Sequence, residues 1–372
     1  MKPTQADPTL DNIKPVCSEA AKEYRQKMHS LAQFLDNALD GATNRNELLG
    51  CAPIDLLRNN HKNHVHFLAN VFELNDFELL KKTIPWVYGS YHSHGVPYDY
   101  FRFSLQAWQE AVKEHLTEKA ANAICPIYQW MLEHHGDWQE LAENRTNIDE
   151  TPAVVEAVWA EKRSQYLDAL LRGKSALAME QATSAVKDDD TLRSLYLSVL
   201  QPSLYEVGSR WEKNEISVAH EHLATSITGR VMAHLQQKFV LREPSKGRAI
   251  VTSAPDEYHA IGAWMVADFL ALDGWDVAFV GANTPANELI AFMIDDPPDL
   301  LLISVTMATN LDKARILCEQ IRNESKFDNL RIAIGGRAIG GSQELCEKIG
   351  AHVTAADAQS MVEDARQWWS SR

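Results

Sequence analysis

The spacing of hydrophobic and polar positions changes once along the 372 residues, near position 248. Before that point apolar residues recur every three to four positions, the period of a helix with one buried face. This spacing predicts helices over 14–39, 65–74, 76–88, 98–116 and 118–134, with Asp40-Gly41 and Gly136 as stops. The polar run from Asn144 to Pro152 predicts a linker. Four more helical patterns follow at 154–171, 175–186, 192–207 and 218–240. The short connections at Arg172-Gly173-Lys174 and Asp188–Asp190 imply antiparallel neighbours, hence a four-helix bundle. Ser217 is expected to cap the last helix, and Pro202 to break or kink the third.

After position 248 short apolar runs alternate with helical patterns. Runs at 249–252, 277–280, 300–305, 332–334 and 352–355 read as buried parallel strands. Between and after them lie helical patterns at 261–272, 286–293, 312–323, 342–349 and 358–369. Five such units in about 120 residues predict a flavodoxin-like, doubly wound parallel sheet. The expected architecture is therefore α plus α/β. It has an all-helical part over 1–145, a helical bundle over 153–242 and a five-stranded α/β domain over 247–372.

Composition narrows the function classes. Apolar residues make up 45% and charged residues 23%, ordinary for a globular protein. The net charge of −15 argues against a broad nucleic-acid surface, so direct DNA binding is not expected. No run reaches 18 apolar residues, so no membrane span is expected, and the polar first 15 residues lack a signal-peptide core. Five scattered cysteines without a C-x-x-C pair suit thiols in a reducing cytoplasm.

Two stretches carry candidate chemistry. The first, Trp86 to Trp108, packs Tyr88, Tyr91, His92, His94, Tyr98, Tyr100, Phe101 and Phe103 into 23 residues. It reads either as an aromatic helix–helix core or as a pocket for a planar pigment such as haem or a bilin. In the pigment reading His61, His64, His66, His92 or His94 is the ligand, and no spacing singles one out. The second stretch is Ala254 to Gly262, between the first predicted strand and its helix. A loop at the carboxyl end of a strand is where open α/β sheets hold their ligands.

Within that loop Glu257-x-His259-x-x-Gly262 resembles the signature of cobalamin-binding domains. The resemblance implies that His259 is the lower axial ligand of cobalt, in place of the cofactor's own base. Either Asp256 or Glu257 could take the other ring N–H of His259 and so fix its tautomer. It further implies a slot for the displaced nucleotide tail, lined by Ser304 and Thr306 after the third strand and Gly335-Gly336 after the fourth.

Trp211, nine residues, then Glu221-His222 is similar to the motif of the LitR and CarH type of cobalamin-dependent photoreceptor regulators. In that family the bundle caps the upper corrin face. The Trp packs beside a 5′-deoxyadenosyl group, the Glu contacts it, and the His ligates cobalt once light has expelled the group. By this resemblance Trp211, Glu221 and His222 line the cofactor and His222 is a second metal ligand. On a helix His222, Ser226, Gly229 and Ala233 share one face, small beyond the His, while His220 points elsewhere.

The expectation is a non-enzymatic, adenosylcobalamin-binding light sensor that signals to a protein partner through residues 1–145, with a homo-oligomer compatible. The resemblance covers residues 153–372 and leaves that first part, where the family carries a DNA-binding domain, without a counterpart. The alternatives are a corrinoid methyl carrier, using methylcobalamin, and a cobalamin or tetrapyrrole regulator that does not use light.

Overall fold

The computed structural model describes residues 8–11, 13–145 and 157–372, and these group into two compact units. The first holds the described residues up to 145 together with Arg210–Glu215; the second holds the rest. The predicted linker falls largely outside the described residues.

The first unit is helical: α1 (Ser18–Gly41), α2 (Arg45–Leu49), α3 (Ile54–Leu74), α4 (Phe77–Ser93), α5 (Tyr98–His115), α6 (Glu118–Glu133) and α7 (His135–Glu143). Helix α5 shows why these segments fold as they do. Its buried residues Tyr100, Phe101, Ser104, Leu105, Ala107, Trp108, Ala111 and Val112 follow the helical period and form one inward stripe. Helix starts are fixed by side chains: Asp76 accepts from Leu79 N at 2.9 Å and Thr117 from Ala120 N at 3.4 Å. Two expectations are corrected. Helix α3 begins at Ile54 rather than 65, because its first turns bury His61 and present polar residues elsewhere, which hides the apolar period. Gly136 does not end the helical run; it lies inside α7.

The second unit opens with the predicted bundle. Its helices are α8 (Ala157–Leu171), α9 (Ser175–Ala185), a long third helix and α12 (Val218–Leu235). The third is continuous from α10 (Asp189–Leu195) through a π-turn at Tyr196–Leu200 into α11 (Gln201–Glu212). Pro202 therefore does not break it. The widened turn immediately ahead absorbs the missing N–H and the ring's clash with the preceding turn. A second π-turn, Gln236–Val240, closes α12. Ser217 does stand at the N-cap of α12, but its hydroxyl meets His220 Nδ1 at 2.8 Å rather than capping the backbone.

The α/β part is a five-stranded, all-parallel sheet of order β2-β1-β3-β4-β5. Its strands are β1 (Arg248–Ser253), β2 (Asp276–Gly281), β3 (Leu300–Ser304), β4 (Arg331–Gly335) and β5 (Val353–Thr354). Helices α13 (Ile261–Leu272), α14 (Ala286–Asp295), α15 (Leu311–Arg322), α16 (Gln343–Ile349) and α17 (Ala358–Ser370) connect and cover them. All of β3 is buried, as strands covered on both faces must be. Strand order reverses between β1 and β3, which pair from Ala249↔Leu300 to Ser253↔Ser304. The loops after these two strands therefore meet at the switch point, where ligands enter this fold. One apolar core, including Tyr166, Leu192, Met232, Phe269 and Leu270, joins the bundle to the sheet.

Candidate cofactor-binding site

The switch point is built around Glu257. Its side chain is 0% exposed and joins the two loops. One oxygen, Oε1, accepts from the Nδ1–H of His259 at 2.5 Å and from His259 N at 3.1 Å. The other, Oε2, accepts from Thr306 N at 2.9 Å, Met307 N at 2.8 Å and Asn310 Nδ2 at 3.1 Å. Burial pushes this carboxyl upward, but the bonds from His259 and the Met307 N–H outweigh it and hold the group down at about 2. It is thus a fixed anion. The bond from Glu257 raises the affinity of His259 for a proton, burial opposes this, and the charges of Glu257 and then Glu221 reinforce it.

His259 is consequently set up as a donor. With Nδ1 committed to Glu257, the tautomer leaves the Nε2 lone pair free, and the side chain is 55% exposed. A single imidazole suits a transition metal that brings its other ligands with it. The surroundings leave room for such a group. A side chain at Gly262 or Gly335 would meet nothing within 4 Å. Gly336 differs: its φ is +99°, and a Cβ there would lie 2.3 Å from Val305 O, so only glycine fits. Ser304 is buried at the end of β3, and Thr306 is half-buried beside it.

Of the two carboxylates offered by the sequence, Asp256 is not the partner of His259. It stands at φ +63° and pairs with Lys313 at 3.4 Å. Asn310 was missed by sequence reading. Its amide reaches Glu257 across 53 residues, and no local pattern marks it.

Glu221 and His222 belong to the same unit. His222 is 75% exposed, and its Nδ1 donates to Glu221 Oε2 at 2.6 Å, again leaving Nε2 free. Glu221 Oε1 accepts from Thr225 at 3.0 Å. His222, Ser226 and Ala233 are exposed, and Gly229 packs toward Trp264 and Ile261 at the start of α13. His220 faces solvent, as expected. Trp211 lies near the end of α11. It belongs to the first unit, its ring 5.9 Å from that of His94.

Comparison with known proteins bears on what this site holds. Residues 247–366 match the family model described as a B12 binding domain, and residues 163–236 match a second B12 binding domain model. The C-terminal part of the chain is a cobalamin-binding module. The chain is 26% identical over 189 residues to the HTH-type transcriptional repressor CarH of Myxococcus xanthus, covering 48% of this chain and 62% of that one. It is also 26% identical over 172 residues to the dimethylamine corrinoid protein of Methanosarcina barkeri, covering 45% and 79%. Among solved structures, the M. barkeri monomethylamine corrinoid protein superposes with a TM-score of 0.49 at 21% identity, over 56% of this chain and 99% of that one. The module thus has relatives of more than one kind.

The histidines considered for a second pigment are engaged in the first unit. His61 is 1% exposed, donates from Nδ1 to Asp36 at 2.6 Å and accepts at Nε2 from Tyr100 at 2.8 Å. His64 stacks on Trp108 at 4.6 Å and meets Tyr128 through Nε2 at 3.1 Å. His92 stacks on Tyr98 at 4.0 Å and bonds Val96 O, and His94 bonds Ser90 O. Tyr88, Tyr100, Phe101 and Trp108 form an aromatic core. Among the described residues no helix is long and apolar enough to cross a membrane.

Proposed function

We propose that this chain is a cobalamin-dependent light sensor with His259 as the lower axial ligand. One observation carries the reading: the second unit holds two carboxylate–imidazole pairs, Glu257–His259 and Glu221–His222, and Glu221 lies within electrostatic reach of His259. Each carboxylate occupies Nδ1 and leaves Nε2 to donate. Adenosylcobalamin, when bound, would supply a light-labile cobalt–carbon bond and a cobalt that accepts nitrogen donors. Glu257 fixes the ring of His259 and keeps its lone pair available. Glu221 does the same for His222, a donor that a methyl carrier does not require. Ser304, Thr306, Gly335, Gly336 and Gly262 border the space for the nucleotide tail, and adenosylcobalamin is the favoured form. Output runs through the first unit, which carries Trp211, to a protein partner.

The test is an absorbance spectrum of the chain with adenosylcobalamin, in darkness and then under green light. A stable protein-bound photoproduct is expected. His222→Ala is expected to leave the dark spectrum unchanged and to alter the illuminated one. The methyl-carrier reading draws on the alignment across 79% of a dimethylamine corrinoid protein. Tight binding without a distinct photoproduct, together with acceptance of a methyl group, selects that reading instead.

A further inference from the structure

Asp268 takes no part in the site above, yet it is the carboxylate most deeply committed to the seam between the bundle and the α/β domain. It is 0% exposed. Ile261, Trp264 and Asp268 fall on one face of α13, and this face meets α12. At Gly229 a Cβ would stand 3.7 Å from the Trp264 ring and 3.8 Å from Ile261, so α12 packs closely on the first turn after the His259 loop.

Further along the same face, Asp268 Oδ2 accepts from the Tyr196 hydroxyl at 2.7 Å, and Oδ1 accepts from Gln236 Nε2 at 2.8 Å. Tyr196 is the first residue of one π-turn and Gln236 the first residue of the other. Among the described residues these are the two π-turns, and each opens on a side chain that grips Asp268. A widened turn re-aims the residues around it, and such turns mark functional positions more often than regular helix does.

We propose that Asp268 is a lock between the helical cap and the α/β domain. When neutral it holds α12 against α13; when ionised it loosens α12 beside the His259 loop. The proposal rests on the cobalamin reading only for what the loosened cap uncovers.

The physical basis is the company Asp268 keeps. The groups facing it are Tyr196 from the third bundle helix, with Tyr166 of α8 behind, Gln236 from the end of α12 and the Trp264 indole one turn earlier on α13. These partners are polar but neutral at ordinary pH. A buried charge without a counter-charge is costly, so the group shifts toward its neutral form. Burial pushes the Asp268 carboxyl up to about 7, against the pull of Tyr196, Gln236 and the Trp264 indole, which favour the ionised form. An unfolded Asp titrates near 4. Between about pH 4 and 7 the folded chain keeps a proton that the unfolded chain has lost, so the seam weakens as pH rises through that window.

The experiment is hydrogen exchange of the cofactor-free chain at pH 6 and pH 8, read as protection factors so that the intrinsic pH dependence cancels. Protection in Val218–Leu235 is expected to fall by roughly tenfold, the equivalent of one unit of pKa difference, while Leu300–Ser304 holds. Asp268→Asn can accept from Gln236 through its oxygen and donate its NH2 to the Tyr196 hydroxyl, which can accept, so it stays neutral with both partners engaged and should abolish the pH dependence. Tyr196→Phe should lower α12 protection at both pH values. An unchanged α12, an equal fall in the sheet, or the same fall in Asp268→Asn overturns the lock. The pH series needs no substitution, so it decides even where a variant fails to fold. Hydroxocobalamin uptake is measured in parallel. An α12-specific change without uptake keeps the lock and sinks the cobalamin reading; uptake without that change does the reverse.

Discussion

Two imidazoles in this molecule are held in nearly the same way and do opposite things. In the helical unit His61 gives its Nδ1–H to Asp36 at 2.6 Å; in the α/β domain His259 gives its Nδ1–H to Glu257 at 2.5 Å. The difference lies at the other nitrogen. Tyr100 closes His61 Nε2 inside an aromatic core, whereas His259 Nε2 is uncommitted and its ring is half-exposed. A carboxylate–imidazole pair is thus a building block, and what it does is set by whether the second nitrogen is spoken for. Burial reinforces the contrast. It drives the affinity of His61 for a proton down, while Glu257 drives that of His259 up.

The largest effect should come from removing the open imidazole. His259→Ala is expected to remove the lower nitrogen ligand and weaken cobalamin binding by more than about 100-fold, above the range of losses that outer-shell changes give. An unchanged cobalt spectrum in this variant breaks the comparison at its root. Glu257→Gln should follow, with a loss of about 10–100-fold in affinity. The amide cannot accept on both sides, so its NH2 group faces either the Nδ1–H of His259 or the N–H groups of Thr306 and Met307. Affinity equal to the parent would show that the carboxylate does not prepare the ring.

Acid sharpens the contrast from the other side. Removal from water pushes His64 down to about 3, so between pH 6.5 and 3 the unfolded chain binds a proton that the folded helical unit refuses. Stability of that unit is therefore expected to fall as pH drops through this window. Hydrogen exchange resolved by helix checks it, and α3 and α5 that stay protected down to pH 3 would contradict it. The smallest effect belongs to Tyr100→Phe. It leaves Nε2 of His61 buried without a donor and should cost about 1–3 kcal/mol. Thermal unfolding measures that cost, and the cobalamin spectrum should not move.

How much of this was legible depends on how local each cause is. The inner strands β1, β3 and β4 showed themselves as apolar runs because a parallel sheet covered on both faces buries nearly every residue of its central strands in turn. The His259 loop was legible from three residues within six positions. What escaped was set by distance along the chain. The choice of Glu257 over Asp256 is made by donors at Thr306, Met307 and Asn310, about fifty residues away. The early turns of α3 escaped because His61 is a buried polar residue whose partners lie in other helices. The π-turn ahead of Pro202 escaped because the sequence announces a break or a kink there, whereas the fold carries the helix on through a widened turn.

The bridge that Glu257 makes between the two loops also fixes when in folding the site can exist. Its donors become neighbours only after β1 and β3 have paired, a non-local contact whose loop must close before it yields any stabilisation. Until then the carboxylate has no anchor and the His259 ring no set direction. Competence to take up a ligand therefore arrives with the sheet and not with the loop. A refolding chain should gain it at the rate of strand pairing, and a ligand supplied earlier has no template to organise.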